Sequence, residues 1–245
     1  MQYIASLSYG KDSIAMLEII KRHGMPLDRI VHVEIMATDT IPADLPPMIE
    51  FKAKADKIIK ERYGIEVEHL RAKWSYEDWF YRKKRKGNHM GQIYGFPMVK
   101  GNWCNSRLKM PPFKKMEKDK SIIQYIGIAA DEPNRFHNLT EYKRSPLVEH
   151  DVTEADARKI CEEIGLLSPI YTQSARGGCW FCHNQSIGQL RLLRKQYPEY
   201  WELMLKWDKD SPVTFRPDGK TVHHFEERFR QEDMQMAFDF CGSGK

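Results

Sequence analysis

Apolar positions along this chain switch between two periods. Tyr3-Ile4-Ala5-Ser6-Leu7 is a short apolar run that predicts a strand, and Ile14-Ala15-Met16-Leu17-Glu18-Ile19-Ile20 predicts a helix behind it. Ile30-Val31-His32-Val33-Glu34-Ile35-Met36 predicts a second strand. Between residues 46 and 62, Met48, Phe51, Ala55, Ile58 and Ile59 fall at helical spacing. Ile65 to Leu70 predicts a third strand and Ile122 to Ile128 a fourth, whose unbroken apolar run implies burial on both faces. This β-α-β-α order predicts an α/β fold, a doubly wound and mostly parallel sheet. Ligands bind such sheets beyond the carboxyl ends of the strands. Three polar segments fall at such ends: residues 8–13, Ala37-Thr38-Asp39-Thr40, and Ala129-Ala130-Asp131-Glu132.

The rest of the chain is less regular. Residues 72–112 hold Trp74, Tyr76, Trp79, Phe80 and Tyr81, followed by the basic run Arg82-Lys83-Lys84-Arg85-Lys86. Aromatics beside cations suit nucleic acid, through stacking and phosphate contact. They equally suit a solvated helix face with a few core aromatics. Thr153-Glu154-Ala155-Asp156 has the form of a capping box, opening a helix that buries Ala157, Ile160, Cys161 and Ile164. Pro198 suits the first turn of a last long helix bearing Tyr200, Trp201 and Leu205. After Pro212 the chain turns polar and turn-rich, the pattern of a C-terminal extension.

Composition narrows the class. At 41% hydrophobic and 30% charged residues over 245 positions, the chain has a soluble, globular make-up. No apolar run approaches the length of a membrane span, so no membrane role is expected. The first strand begins too early to leave room for a signal peptide, and a cytoplasmic location is the expectation. Five cysteines, an odd number, argue against a disulfide framework and for metal binding or catalysis. A net charge of +5 permits an anionic partner without requiring one.

Two constellations carry chemistry. Ser8-Tyr9-Gly10-Lys11-Asp12-Ser13 joins the first strand to the first helix, so backbone N–H groups gather at a helix N-terminus. Lys11 adds a mobile positive charge and Ser13 a hydroxyl. The order is not a Walker A loop, which needs a second glycine and places Ser or Thr directly after the lysine. Further on, Cys179 and Cys182 form a Cys-x-x-Cys pair in Gly177-Gly178-Cys179-Trp180-Phe181-Cys182-His183, and Cys104 stands in another polar segment. Two thiolates at this spacing chelate one metal or cluster. Cys161, His183 and Cys241 are candidates for a fourth ligand. A redox dithiol is the competing reading, and spacing does not separate zinc from an iron–sulfur cluster.

The loop resembles the pyrophosphate-binding S-G-G-x-D-[ST] loop of the PP-loop ATP pyrophosphatase superfamily. Within it the chain resembles the phosphoadenosine phosphosulfate (PAPS) reductase family, over residues 1–205, with 206–245 left as a C-terminal extension. The resemblance rests further on Trp103-Cys104-Asn105-Ser106-Arg107-Leu108-Lys109, on Gly127-Ile128-Ala129-Ala130-Asp131-Glu132-Pro133-Asn134-Arg135, on the Ser145 to Asp156 region and on the placement of the Cys-x-x-Cys pair. Tyr9 departs from the pattern, standing where the first glycine is usual, and a side chain there is expected to narrow the approach of backbone to ligand.

The resemblance implies an enzyme that binds ATP with Mg²⁺ and adenylates a substrate, for sulfur transfer to a nucleic acid or a small molecule. Ser8, Tyr9, Gly10, Lys11, Asp12, Ser13, Asp39 and Thr40 would bind the nucleotide. Lys11, Asp12 and Arg135 would be catalytic, and Arg107, Lys109 and Arg135 would clamp phosphate or acceptor. Cys104, Cys179 and Cys182, with Cys161 as a fourth, would hold an iron–sulfur cluster, or zinc in the alternative. A sulfur-donor protein and an oligomeric state are compatible with this. Two other readings stand beside it. One is a sulfonucleotide reductase that releases sulfite with Cys241 as nucleophile, although reductases tend to lose the acid that Asp12 retains. The other is a non-catalytic nucleotide-binding subunit of a larger assembly.

Overall fold

The computed structural model describes residues 1–97, 103–137, 139–173 and 177–242, with the side chains of 115, 117, 172, 173 and 236–242 outside the description. Strands β1 (Gln2–Leu7), β2 (Arg29–Glu34) and β3 (Val67–Arg71) alternate with helices α1 (Lys11–Arg22) and α2 (Pro46–Tyr63). A short helix α3 (Tyr76–Phe80), a π-helical turn (Asn105–Lys109) and α4 (Met110–Glu117) lead to β4 (Ile122–Ile126). Then come α5 (Pro133–Phe136), the two-residue β5 (Lys143–Arg144), α6 (Pro146–Glu149) and α7 (Glu154–Glu163). The chain ends in four helices: α8 (Ile170–Gln173), α9 (Ile187–Gln196), α10 (Pro198–Asp210) and α11 (Val222–Gly242).

All five strands are parallel, in the order β3-β2-β1-β4-β5. The order reverses at β1, which pairs with β2 on one side and β4 on the other. The carboxyl ends of β1 and β4 therefore form the switch point where an open α/β sheet takes its ligand. Strand β4 departs from the expectation of burial on both faces. Ile123 and Tyr125 are buried, while Ile122, Gln124 and Ile126 are only partly so, and Ile122 and Gln124 line a groove with Ile4, Met116 and the chain from Thr140 to Lys143.

Two large cores flank this switch point, and a smaller third packs Ile4, Val31 and Val33 against Phe113. The first is largely aliphatic and joins the sheet to α1, α2 and α7 through Ile14, Leu17, Ile20, Ile59 and Ile160. Helix α1 lies so deep in it that every residue from Ser13 to Ile20 is buried. Glu18 is the one charge in that run. It accepts from Arg22, from Arg62 at 2.8 Å twice and from Tyr63, which ties α1 to α2. Those donors, Arg62 first, hold its carboxyl down at about 2. The second core is aromatic and draws on α3, the Cys179–Cys182 turn, α10 and α11, with Tyr76, Trp180, Trp207 and Phe229 fully buried. Residues beyond 205 join it through Phe215, Phe225 and Phe229. Among the described residues no helix is long and apolar enough to cross a membrane.

Candidate active site

Strand β1 delivers the chain to Ser8, and α1 begins three residues later. Short polar bonds fix the turn between them. Ser13 Oγ donates to the Gly10 carbonyl at 2.9 Å and accepts from the Ser8 N–H at 3.1 Å and the Ser8 hydroxyl at 3.0 Å. The Lys11 N–H donates to the Tyr171 hydroxyl of α8 at 3.0 Å. The N–H groups of Asp12 and Ser13 have no preceding helical turn to serve them, which leaves donors and the positive end of the helix dipole for an anion. Gly127, just beyond β4, makes this possible from the other side. A Cβ there would lie 2.7 Å from backbone atoms of Asp12 and Ser13, so only glycine lets β4 approach the helix start.

Tyr9 has φ 57°, the left-handed conformation that glycine adopts without strain. Its side chain does not obstruct the turn as expected. The ring is fully buried against His32, edge-on at 4.8 Å, and the hydroxyl donates to Asp56 and lies 3.3 Å from His69 Nε2. Burial and the Asp56 carboxylate keep that phenol protonated far above neutral pH. His32 Nδ1 lies 2.9 Å from the Leu7 carbonyl, so this nitrogen carries the proton. Nε2 then accepts from Lys52 at 2.8 Å, and burial followed by the Lys52 charge pushes the imidazole down to about 3. Lys52, itself buried, donates its next proton to Asp44 at 2.5 Å.

Three carboxylates converge beside the loop. Asp12 from α1, Glu132 from the segment after β4 and Glu154 at the start of α7 present oxygens all within 4.8 Å of one another. Asp131 accepts from the Glu154 N–H at 3.0 Å and so binds the latter two segments together. Burial, opposed by Lys11 and reinforced by the two glutamates, raises the Asp12 carboxyl above its ordinary value. Lys11 Nζ lies 2.8 Å from Asp12 and 3.2 Å from Glu154, while Arg135 bonds both oxygens of Glu132 at 2.7 Å. Burial works against the Lys11 ammonium, but those hydrogen bonds outweigh it and hold the group above the usual lysine value.

A cavity of about 800 Å³ opens over these groups. Its walls include the whole loop from Ser8 to Ser13, the carboxylate trio, Asp44, Lys52, Lys109, Arg135 and Cys179. The volume lies in the range of nucleotide- and drug-sized sites. Lys109 is open to the cavity yet ringed by protein, and that crowding lowers its ammonium below the ordinary value.

The cysteines approach from the aromatic side. Trp180 pins their turn to the chain after β2, its N–H donating to the Ala43 carbonyl at 3.0 Å and its indole to Pro42 at 2.9 Å. Burial first, then the charges of Cys182 and Cys104, raise the Cys179 thiol, and burial and Cys182 raise Cys104. Cys104, Cys179 and Cys182 thus lie within electrostatic reach of one another. They are not among the ligand atoms gathered within 4.8 Å. The fully buried Tyr76 hydroxyl lies in the field of all three cysteines and has no hydrogen-bond partner among the described residues. A cluster sulfur would supply the missing acceptor.

Other expected residues fall elsewhere. The chain after β2 makes a tight excursion, with Ala37 and Thr38 both donating to the Ile41 carbonyl. This throws Asp39 and Thr40 into solvent, and Asp44 and Lys52 line the cavity instead. Arg107 stacks on the Trp79 ring at 4.7 Å outside the cavity wall. Cys161 is buried in the aliphatic core and donates to the Lys11 carbonyl at 3.2 Å, with burial pushing its thiol up to about 12. It braces the loop from below and is not grouped with the other three cysteines. The Cys241 side chain lies outside the described residues.

No protein-family model matches this chain, and no curated protein matches it. Among solved structures it is similar to the U34-tRNA thiolase NcsA from Methanococcus maripaludis with its [4Fe-4S] cluster, at 13% identity and a TM-score of 0.43. That likeness covers 85% of this chain and 72% of the other. At this degree of similarity, the site has to be understood from its own residues.

Proposed function

We propose that this chain is an ATP-dependent enzyme of the PP-loop kind that adenylates an acceptor oxygen in preparation for sulfur transfer. One observation carries the reading: a helix N-terminus with free donors, a carboxylate trio and a cysteine share the walls of a single cavity. The first-turn N–H groups and Lys11 receive the β- and γ-phosphates. Asp12, Glu132 and Glu154 would hold Mg²⁺, an ion that prefers oxygen ligands.

The charges suggest how binding proceeds. Lys11 neutralises Asp12 and Glu154, and Arg135 neutralises Glu132. Each of these cations is also a phosphate ligand. With ATP and Mg²⁺ bound, Lys11 and Arg135 would exchange these carboxylates for the phosphates, since the same carboxylates would hold the metal. The acceptor oxygen then attacks the α-phosphorus, the bond to the bridging β-oxygen breaks, and pyrophosphate stays in the loop. Donors positioned in advance stabilise the charge that develops. A sulfur nucleophile afterwards displaces AMP from the adenylated carbon.

Cys104, Cys179 and Cys182 would hold an iron–sulfur cluster, which would supply the sulfur chemistry. Without a metal, burial keeps Cys104 and Cys179 as thiols, and a bound cationic centre would stabilise them as thiolates. The test is pyrophosphate release from ATP by the purified, cluster-loaded protein in the presence of candidate acceptors. Asp12→Asn is expected to lower it at least a hundredfold. Equal release by the variant would remove the assignment.

A further inference from the structure

Residues 71–109 hold ten Lys and Arg against two Asp and Glu, an excess greater than the +5 of the entire chain. Both carboxylates are already committed. Glu77 accepts from the Trp207 indole and lies near Lys206, and Asp78 closes the capping box with Ser75. None of the described Lys or Arg side chains in this stretch forms a salt bridge, although Arg22, Arg29, Arg62, Arg144 and Arg194 elsewhere all do. The uncompensated charge is therefore a property of this stretch, and its aromatic neighbours organise it into a surface.

That face is built. Arg82 lies 5.2 Å from the Trp74 ring centre and 4.5 Å from that of Trp79, and Arg107 covers Trp79 at 4.7 Å. Lys73 approaches Trp74 at 5.0 Å. Cations and indoles thus alternate in one ladder. Beyond Arg82 the basic run continues on a hairpin, where Tyr94 donates to the Arg82 carbonyl and Lys84 to Gln92. At its other end the ladder meets the π-helical turn, and Lys109 on that turn lines the cavity. Trp74 remains 41% exposed, unusual for an indole with no protein surface to cover.

We infer that this ladder is the docking track for a nucleic acid with unpaired bases, which it leads to the cavity as the acceptor of the proposed adenylation, and the inference rests on that reading. Stacking holds the guanidinium planes in place while leaving their edges for phosphate oxygens. Exposed indole and guanidinium faces accept splayed-out bases of any sequence. A paired duplex offers the phosphates but not the bases.

The experiment uses the full chain and fluorescence anisotropy of a labelled stem–loop RNA, its DNA counterpart and a fully paired duplex. Calorimetric ATP titrations run in parallel. Wild type is expected to prefer the stem–loop over the duplex, and the RNA and DNA arms identify the natural sugar. Trp74→Ala combined with Arg82→Ala should weaken stem–loop binding about tenfold or more, and lower the salt slope by about 0.7 for each phosphate no longer neutralised. ATP affinity should not change. Equal stem–loop binding by wild type and the double variant, or a preference for the duplex, would overturn the track. Failure of ATP to bind the wild type would overturn the adenylation reading, and the stem–loop comparison would still decide the track.

Discussion

The two walls of the cavity are made by different means. On the loop side, backbone does the work: a turn at a strand end, a helix start and one glycine bring donors and carboxylates together. On the cysteine side, the positions come from aromatic packing across distant segments, Tyr76 on Trp207 and Trp207 on Trp180. A backbone-built wall should lose function when one atom is added to it. A wall built by packing should lose stability first and its ligand as a consequence.

Removing the largest packed ring probes the second wall most severely. Trp180→Ala deletes a fully buried indole stacked on Trp207 at 5.6 Å, together with its bond to Pro42. A cost of about 3–5 kcal/mol is expected by chemical denaturation, with iron content falling alongside. A stable Trp180→Ala protein with full iron would show that the aromatic wall does not set the cysteines. Gly127→Ala is the counterpart on the loop side. Its Cβ would press on the backbone of Asp12 and Ser13, costing roughly 1–3 kcal/mol. ATP binding should be lost in this variant while iron content stays near normal. The reverse pattern would mean that the two walls are not built separately.

Glu18 tests how far the loop wall depends on the clip between α1 and α2. Its carboxyl lies at about 2, below the ordinary 4.5. The stabilisation is therefore fully present above pH 4.5 and is lost as pH falls through 2. Glu18→Gln should cost on the order of 2–3 kcal/mol at neutral pH and flatten the stability profile between those values. A variant with the same acid slope as wild type would place that slope elsewhere. The smallest expected effect is at Tyr76. Its unpaired hydroxyl should make the cluster-free Tyr76→Phe protein more stable, by about 1 kcal/mol. The loaded variant should show a shifted cluster absorption or reduction potential. Spectra and potentials identical to wild type would remove the hydroxyl from the cluster's surroundings.

The same division explains what the sequence disclosed. Ser8 to Ser13 and Gly127 to Glu132 were legible because their meaning lies in local order: strand, turn, small residue, acid. The parallel sheet followed from alternation of period, and the capping box at Thr153 from four adjacent residues. Asp44 and Lys52 escaped notice because the excursion of residues 37–41 is a tertiary event that displaces Asp39 and Thr40. Tyr9 reads as an obstruction by its identity, whereas its positive φ turns the ring down onto His32. Lys109 and Arg107 are two residues apart, and only the π-helical turn decides which one enters the cavity. Cys161 could be recognised as buried from its helical phase, but its bond to Lys11 depends on how α7 packs against α1.

With ATP and Mg²⁺ bound, Lys11 and Arg135 would leave the Asp12, Glu132 and Glu154 carboxylates for phosphate. Calorimetric titration of ATP into the protein, with and without Mg²⁺, tests it directly. Tight binding is expected only with Mg²⁺, with that metal dependence lost in Asp12→Asn. Equal ATP affinity with Mg²⁺ and with a chelator in its place, in wild type and variant alike, would contradict it.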